Sequence, residues 1–270
     1  MADARFDRAA FSAALATRRL ARTLLVRAET GSTNDDAFDA VCAGVPDGVT
    51  VVADAQARGR GRAGRAWTHA PGLGLAMSFA LHPGCDARQA AVVPLAAGLA
   101  VARAAGALGV RAAIKWPNDV LARGRKLAGV LCELRRAPAG GEVVVVGVGV
   151  NVRQRAGDFP PELRGTATSF ALEGSDASVE AVAARVADEF EPLWTTLQEG
   201  DRSEVLDAWS ERAAFWGETV TVNAPGGAIT GVAQRLDCDG ALVLRLESGV
   251  EAVVVAGDVE PAGPAAERPR

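Results

Sequence analysis

Residues 142–152 read Glu-Val-Val-Val-Val-Gly-Val-Gly-Val-Asn-Val. A β-branched run with no polar alternation belongs to a strand covered on both faces. A strand with one wet face would show a polar residue at every second position. This segment therefore predicts the central strand of a sheet. Gly147 and Gly149 stand two apart, so they share one face of the strand and leave it bare. A bare patch on a central strand makes room for a flat or narrow ligand, or for close packing of a helix. At a sheet edge instead, the same backbone would offer itself to a partner or to a second copy.

The remaining pattern alternates strands and helices. Strands are expected at 24–29, 49–54, 73–81 and 111–116. Segments 119–122 and 126–135 form a hairpin around Arg123-Gly124. Helices are expected as a short lead-in within 4–21, from Gly31-Ser32-Thr33-Asn34-Asp35 onward, and at 87–107, 178–198 and 202–213. Pro94 and Gly98 allow a kink in the long helix. Residues 218–259 change character. Short alternating segments are separated by Pro225-Gly226-Gly227, Asp239-Gly240 and Ser248-Gly249, which reads as a small barrel. The expected domains are 1–214 and 215–260, with the boundary near 214–217. Residues 261–270 are expected to be a disordered tail.

Composition narrows the function classes. A hydrophobic content of 49% over 270 residues supports a large core, and a net charge of −4 argues against a dedicated nucleic-acid binder. No apolar run approaches the ~18–20 residues that span a bilayer. The N-terminus lacks the charged-then-apolar order of a signal peptide, so a cytoplasmic protein without membrane contact is expected. Cys42, Cys85, Cys132 and Cys238 form no C-x-x-C pair, and His69 and His82 have no metal spacing. Zinc sites and histidine catalysis are therefore disfavoured.

Basic residues are distributed unevenly. Only Lys115 and Lys126 are lysine; the other 27 of 29 basic residues are arginine. Two lysines in one segment of an arginine-biased chain point to a site that wants a compact ammonium rather than a planar fork. A second basic feature is the loop Gly59-Arg60-Gly61-Arg62-Ala63-Gly64-Arg65. Its glycines allow close backbone approach, and Arg58, Arg60, Arg62 and Arg65 offer forked donors to phosphate or carboxylate. The loop also matches G-x-G-x-x-G. A dinucleotide fingerprint needs a helix opening within the motif and an acid about twenty residues on. Here Pro71 and Gly72 follow, and no acid lies between Asp54 and Asp86. Ser32, Thr33, Asn34 and Gln56 are short neutral hydrogen-bonders suited to an amide-like ligand head, although capping explains Ser32 and Thr33 equally well.

Together these segments resemble the biotin protein ligases. The resemblance rests on Gly31-Ser32-Thr33-Asn34, Gln56 with the arginine loop, Lys115-Trp116-Pro117-Asn118-Asp119, Lys126-Leu127-Ala128-Gly129 and Gly147-Val148-Gly149-Val150-Asn151, in that order. It implies an α/β (α+β) fold: a mixed-sheet ligase domain related to class II aminoacyl-tRNA synthetases, followed by an SH3-like barrel. It implies ATP- and Mg²⁺-dependent joining of biotin to a lysine of a biotin carboxyl carrier domain of acyl-CoA or pyruvate carboxylases, through biotinyl-5′-AMP. Ser32, Thr33, Asn34 and Gln56 would hold the ureido ring. Gly147 and Gly149 would also belong to the biotin-binding set. Arg60, Gly61 and Arg62 would close over the adenylate. Lys126 would contact the biotin carboxylate and the α-phosphate, and together with Arg60 and Arg62 forms the expected catalytic set. Arg65, Trp67, Lys115, Asn118, Asp119 and Asn151 would serve the nucleotide. No metal ligand set is assigned; Asp119 is one candidate.

Some members of that family carry an N-terminal helix-turn-helix. Here residues 1–23 precede the first expected strand, so a ligase without DNA binding is expected. Monomer and weak homodimer both stay open. The rivals are a lipoate or octanoate ligase, which would want a longer apolar tunnel, and a non-enzymatic biotin sensor.

Overall fold

The computed structural model describes residues 5–83 and 87–262. Cys85 and the expected tail beyond 262 lie outside them. The chain runs α1 (Arg8–Ala14), β1 (Leu24–Arg27), α2 (Thr33–Cys42), β2 (Val49–Ala53), β3 (Gly74–Leu81), α3 (Ala87–Ala107), β4 (Ala113–Lys115), β5 (Asp119–Ala122), β6 (Arg125–Arg136), β7 (Glu142–Asn151), α4 (Val179–Gln198) and α5 (Ser203–Ser210). There follow β8 (Thr219–Ala224), β9 (Gly227–Leu236), β10 (Leu242–Arg245), β11 (Glu251–Val254) and β12 (Asp258–Pro261).

The first seven strands form one mixed sheet in the order β1-β2-β3-β7-β6-β5-β4. Only β1 and β2 pair in parallel. The valine strand β7 stands in the centre, with both edges taken by β3 and β6. The edge alternative for 142–152 is thereby overturned: β1 and β4 are the edges.

Residue parity along β7 explains its composition. Val144, Val146, Val148 and Val150 face the main core, where α3 and α4 pack. Val143 and Val145 face a smaller core made with Ala37, Ala40 and Val41 of α2. Gly147 and Gly149 continue that second face. The strand is therefore apolar at every position because two helical layers cover it, and it turns to glycine where the second layer gives way to a cavity. The Arg123-Gly124 turn between β5 and β6 has positive φ at both residues (49° and 76°), as a two-residue hairpin requires.

Three expectations need correction. The lead-in helix covers only 8–14. Beyond Leu15, backbone amides are claimed by carboxylates of α4: Asp188 accepts from Ala16 and Thr17, and Glu191 from Arg18, Arg19 and Leu20. Helix α5 stops at Ser210 rather than 213, because Arg212 O accepts from Ile114 N and Ala213 bridges to Ile114 beside edge strand β4. Finally, Ala90–Ala107 is an 18-residue window long and apolar enough to cross a membrane by length and composition. The sequence reading overlooked it because Arg103 interrupts the run. It is 67% buried and packs against α4, α5 and β6, as a core helix does.

The last five strands form an antiparallel sheet in the order β11-β10-β9-β8-β12. Pro261, expected to open the tail, instead ends β12 opposite Val220. Trp116 Nε1 donates to Gly240 O at 3.1 Å and so ties this sheet to the segment after β4.

Candidate active site

A cavity of about 300 Å³ opens over the glycine face of β7. The space the glycines leave is partly taken by protein. A Cβ at Gly147 would stand 2.3 Å from Asn34 Oδ1, and one at Gly149 would stand 2.3 Å from Trp67 Cε2. The bare face therefore seats Asn34 and Trp67, and these line the cavity in turn. This revises the expectation that the glycines make room for the ligand alone.

One wall is neutral and hydrogen-bonding. Ser32 is the N-cap of α2 by position, but its side chain makes no capping bond. Capping therefore does not explain it. Thr33 donates from its N (2.8 Å) and its Oγ1 (3.1 Å) to Gln56 Oε1. Asn34 Nδ2 donates to Glu133 Oε2 at 2.7 Å and to Leu131 O at 3.3 Å. Ser78 Oγ lies 2.7 Å from Thr33 Oγ1 and 2.6 Å from Asn34 Oδ1. Sequence reasoning missed Ser78 and Glu133. The signal for Ser78 was present: it is the one polar side chain in the apolar run 73–81, and a buried hydroxyl needs a partner. Trp67 Nε1 is buried and finds no acceptor among the described residues.

The arginine loop leans over this wall. It is closed by Gly61 N donating to Arg65 O (2.6 Å) and Trp67 N donating to Gly59 O (2.9 Å). Its tip turns through Ala63 and Gly64, both at positive φ. A Cβ at Gly59 would sit 2.2 Å from Trp67 O, so the crossing there requires glycine. No α-helix opens in the motif, and β3 follows it, so nothing here has Rossmann geometry.

Each loop arginine that reaches the cavity has a partner. Arg60 meets Asp35 with both η nitrogens at 2.8 Å. Arg60 and Arg135 hold the Asp35 carboxyl well below the usual carboxylate range. Arg62 Nη1 donates to Asn118 Oδ1 and its Nη2 to Gly257 O, both at 3.3 Å. Burial of Arg62 pushes its guanidinium pKa down. Arg65 Nη2 lies 2.9 Å from Asp258 Oδ1. Asp35 and Asp258 were also missed, because a carboxylate partner distant in sequence leaves no local pattern.

Lys126 supplies the ammonium. Its Nζ is 2.7 Å from Asp119 Oδ1 and 5.9 Å from the centroid of the Trp67 ring. A Cβ at Gly129 would lie 3.2 Å from Lys126 Cε. The glycine in Lys126-Leu127-Ala128-Gly129 thus clears a path for the lysine's own stem.

Beside the first cavity is a second, of about 600 Å³; Trp67, Asp119 and Lys126 border both. Lys115 and Asn151 line only the second. Asn151 Nδ2 donates to Lys126 O at 3.4 Å, and its Oδ1 accepts from Gln154 Nε2 at 3.1 Å. His69 also lines it, and burial pushes its pKa down. The other expected site residues, from Ser32 to Gly149, converge on the first cavity; Lys115 and Asn151 stand apart from them. Neutral donors and acceptors on one side, and cations on the other, suit a ligand with an amide-like head and an anionic end.

Comparison with known proteins agrees. Residues 29–151 match the Biotin/lipoate A/B protein ligase family, and residues 215–260 match the Biotin protein ligase C terminal domain. A biotin–[acetyl-CoA-carboxylase] ligase of Mycobacterium tuberculosis is 37% identical over 88% of this chain and 88% of its own length. One of Paracoccus denitrificans is 33% identical over 85% of this chain and 97% of its own. A biotin protein ligase from Aquifex aeolicus, solved with biotin and ATP, superposes with a TM-score of 0.76 at 30% identity, covering 88% of this chain and 98% of that one. The chain belongs to the biotin protein ligase family.

Proposed function

We propose that this protein joins biotin to a lysine of a biotin carboxyl carrier domain, using ATP through a biotinyl-5′-AMP intermediate. The observation that carries this reading is the convergence of the Ser32–Thr33–Asn34–Gln56 wall with Arg62 and Lys126 in one cavity, beside a second cavity that shares Lys126. The ureido head would meet the neutral wall. The biotin carboxylate would lie toward Lys126 and Arg62, and the nucleotide would occupy the second cavity with Lys115, Asp119 and Asn151, while Asn118 lines the first.

A carboxylate attacking a phosphate is an encounter of like charges. Cations set between them reduce that repulsion and stabilise charge that builds in the transition state. No proton-transfer group is needed for this step, so the scarcity of histidine is no obstacle. The mixed anhydride is open to water, and a loop lying over it would protect it. Mg²⁺ would neutralise phosphate charge. Among the described residues no three metal-ligating side chains converge. An ion held mostly by phosphate oxygens, with Asp119 as the protein's candidate donor, fits what Mg²⁺ commonly accepts. Residues 1–214 would form the catalytic domain and 215–260 the C-terminal one.

The glycine face gives a direct prediction. Gly149→Ala drives a methyl into the Trp67 indole while the core face of β7 is untouched. If the displaced indole costs the bound state ~1–3 kcal/mol, the scale of overpacking, biotin binding weakens by roughly 5- to 150-fold, seen by calorimetry. Unchanged affinity would mean that Trp67 is not part of the biotin site. The function itself is tested by incubating the protein with ATP, Mg²⁺, biotin and an isolated carrier domain. Mass spectrometry should find one biotinyl group on the domain, and none when its acceptor lysine is replaced by Arg. An unmodified domain would contradict the reading.

A further inference from the structure

The arginine loop is held at its two ends by distant parts of the chain. At its start, Arg60 is fixed to Asp35 of α2. At its far end the partners come from β12, an edge strand of the C-terminal sheet. Arg65 Nη2 lies 2.9 Å from Asp258 Oδ1, and Arg62 Nη1 lies 3.8 Å from the same oxygen. Arg62 Nη2 also donates to the neighbouring carbonyl, Gly257 O, at 3.3 Å. Two adjacent groups of the C-terminal sheet thus grip two arginines almost two hundred positions earlier.

The position of that grip is built into the sheet. Gly257 has φ +153°, and a Cβ there would stand 2.6 Å from Val222 Cγ1 and 2.9 Å from Asn223 O. Val222 is fully buried. Only glycine lets the backbone pass this close to β8. Register then fixes the next residue, because Asp258 pairs with Asn223. The two arginines are not held equally. Both line the ligand cavity, but Arg65 has one short charged contact, whereas Arg62 is the more buried and has only longer ones. Such an arrangement tethers the loop through Arg65 and leaves Arg62 able to turn toward an anion.

We propose that Asp258 is a positioning residue that holds loop 59–65 over the cavity, so that the C-terminal sheet governs how long the acyl-adenylate is retained. This rests on the function proposed above for its catalytic consequence, but not for the tether itself.

The test uses the full chain and the variants Asp258→Asn and Asp258→Glu. Arg62 and Arg65 are both trypsin sites, so cleavage after them, mapped by mass spectrometry on protein without substrates, reports how firmly the loop is held. A half-exposed ion pair is worth roughly 0.2–1 kcal/mol, so Asp258→Asn should speed these cleavages and the escape of biotinyl-adenylate by about threefold. The melting temperature should stay close to that of the parent. Asp258→Glu, which keeps the charge, should restore most of the protection. Unchanged cleavage at both sites in Asp258→Asn overturns the tether. Faster cleavage with unchanged adenylate escape overturns its role in retention. Failure of the parent protein to form any adenylate would count against the proposed function, while the proteolysis would still decide the tether.

Discussion

Lys126→Ala should lose most of the first half-reaction, with ATP–pyrophosphate exchange falling by about 10²–10³-fold, the range seen when one preorganised electrostatic group is removed. In a chain with 27 arginines, a lysine at this position marks a site where a compact charge is wanted. The fold shows how that charge is delivered. Gly129 clears the stem, Asp119 holds the ammonium at 2.7 Å, and the Trp67 ring lies beneath it. The ammonium borders both cavities, where a carboxylate from one side and a phosphate from the other would meet. Lys126→Arg should recover little, because a planar fork cannot occupy the space of a point charge between Trp67 and Asp119. Near-parental exchange in Lys126→Ala would remove this residue from the site.

The second large effect concerns Arg62. Arg62→Gly should keep part of the adenylation activity but release biotinyl-adenylate into solution, measured chromatographically in the absence of carrier. Arg62 is the loop arginine with the longest contacts among those that line the cavity. Its removal would take away both a cation near the anhydride and the middle hold on the loop. The leak should exceed that of Asp258→Asn, which leaves Arg62 in place. Normal retention of the intermediate in Arg62→Gly would show that the loop does not guard the cavity.

Much of this arrangement was readable before any fold was known. The valine run of β7 marked the sheet centre because burial on both faces leaves no polar alternation. The change to short strands with turn residues marked the C-terminal sheet. The glycine pair marked the cavity, although its immediate occupants proved to be Asn34 and Trp67. Local physics reached that far because each signal lies within a few residues of its consequence.

What the sequence did not reveal depends on contacts between distant segments. Nothing near residues 16–20 announces that Asp188 and Glu191 will take their amides and end α1 early. Nothing near Arg60, Arg62 or Arg65 announces Asp35 and Asp258 as partners. Ser78 lay between these cases: its burial in an apolar strand was visible, but its bonds to Thr33 and Asn34 required the sheet. The neutral wall of the site was therefore legible residue by residue, whereas the ion-pair scaffold behind it was not.

The central claim is adenylation of biotin in this cavity, and ATP–pyrophosphate exchange tests it most directly. The purified protein would be assayed with Mg²⁺ and with biotin, lipoate or octanoate at equal concentration. The account predicts exchange with biotin and little with the other two acids, since the Ser32–Gln56 wall offers hydrogen bonds that an aliphatic chain does not use. Exchange with lipoate or octanoate instead, or with none of the three, would contradict it.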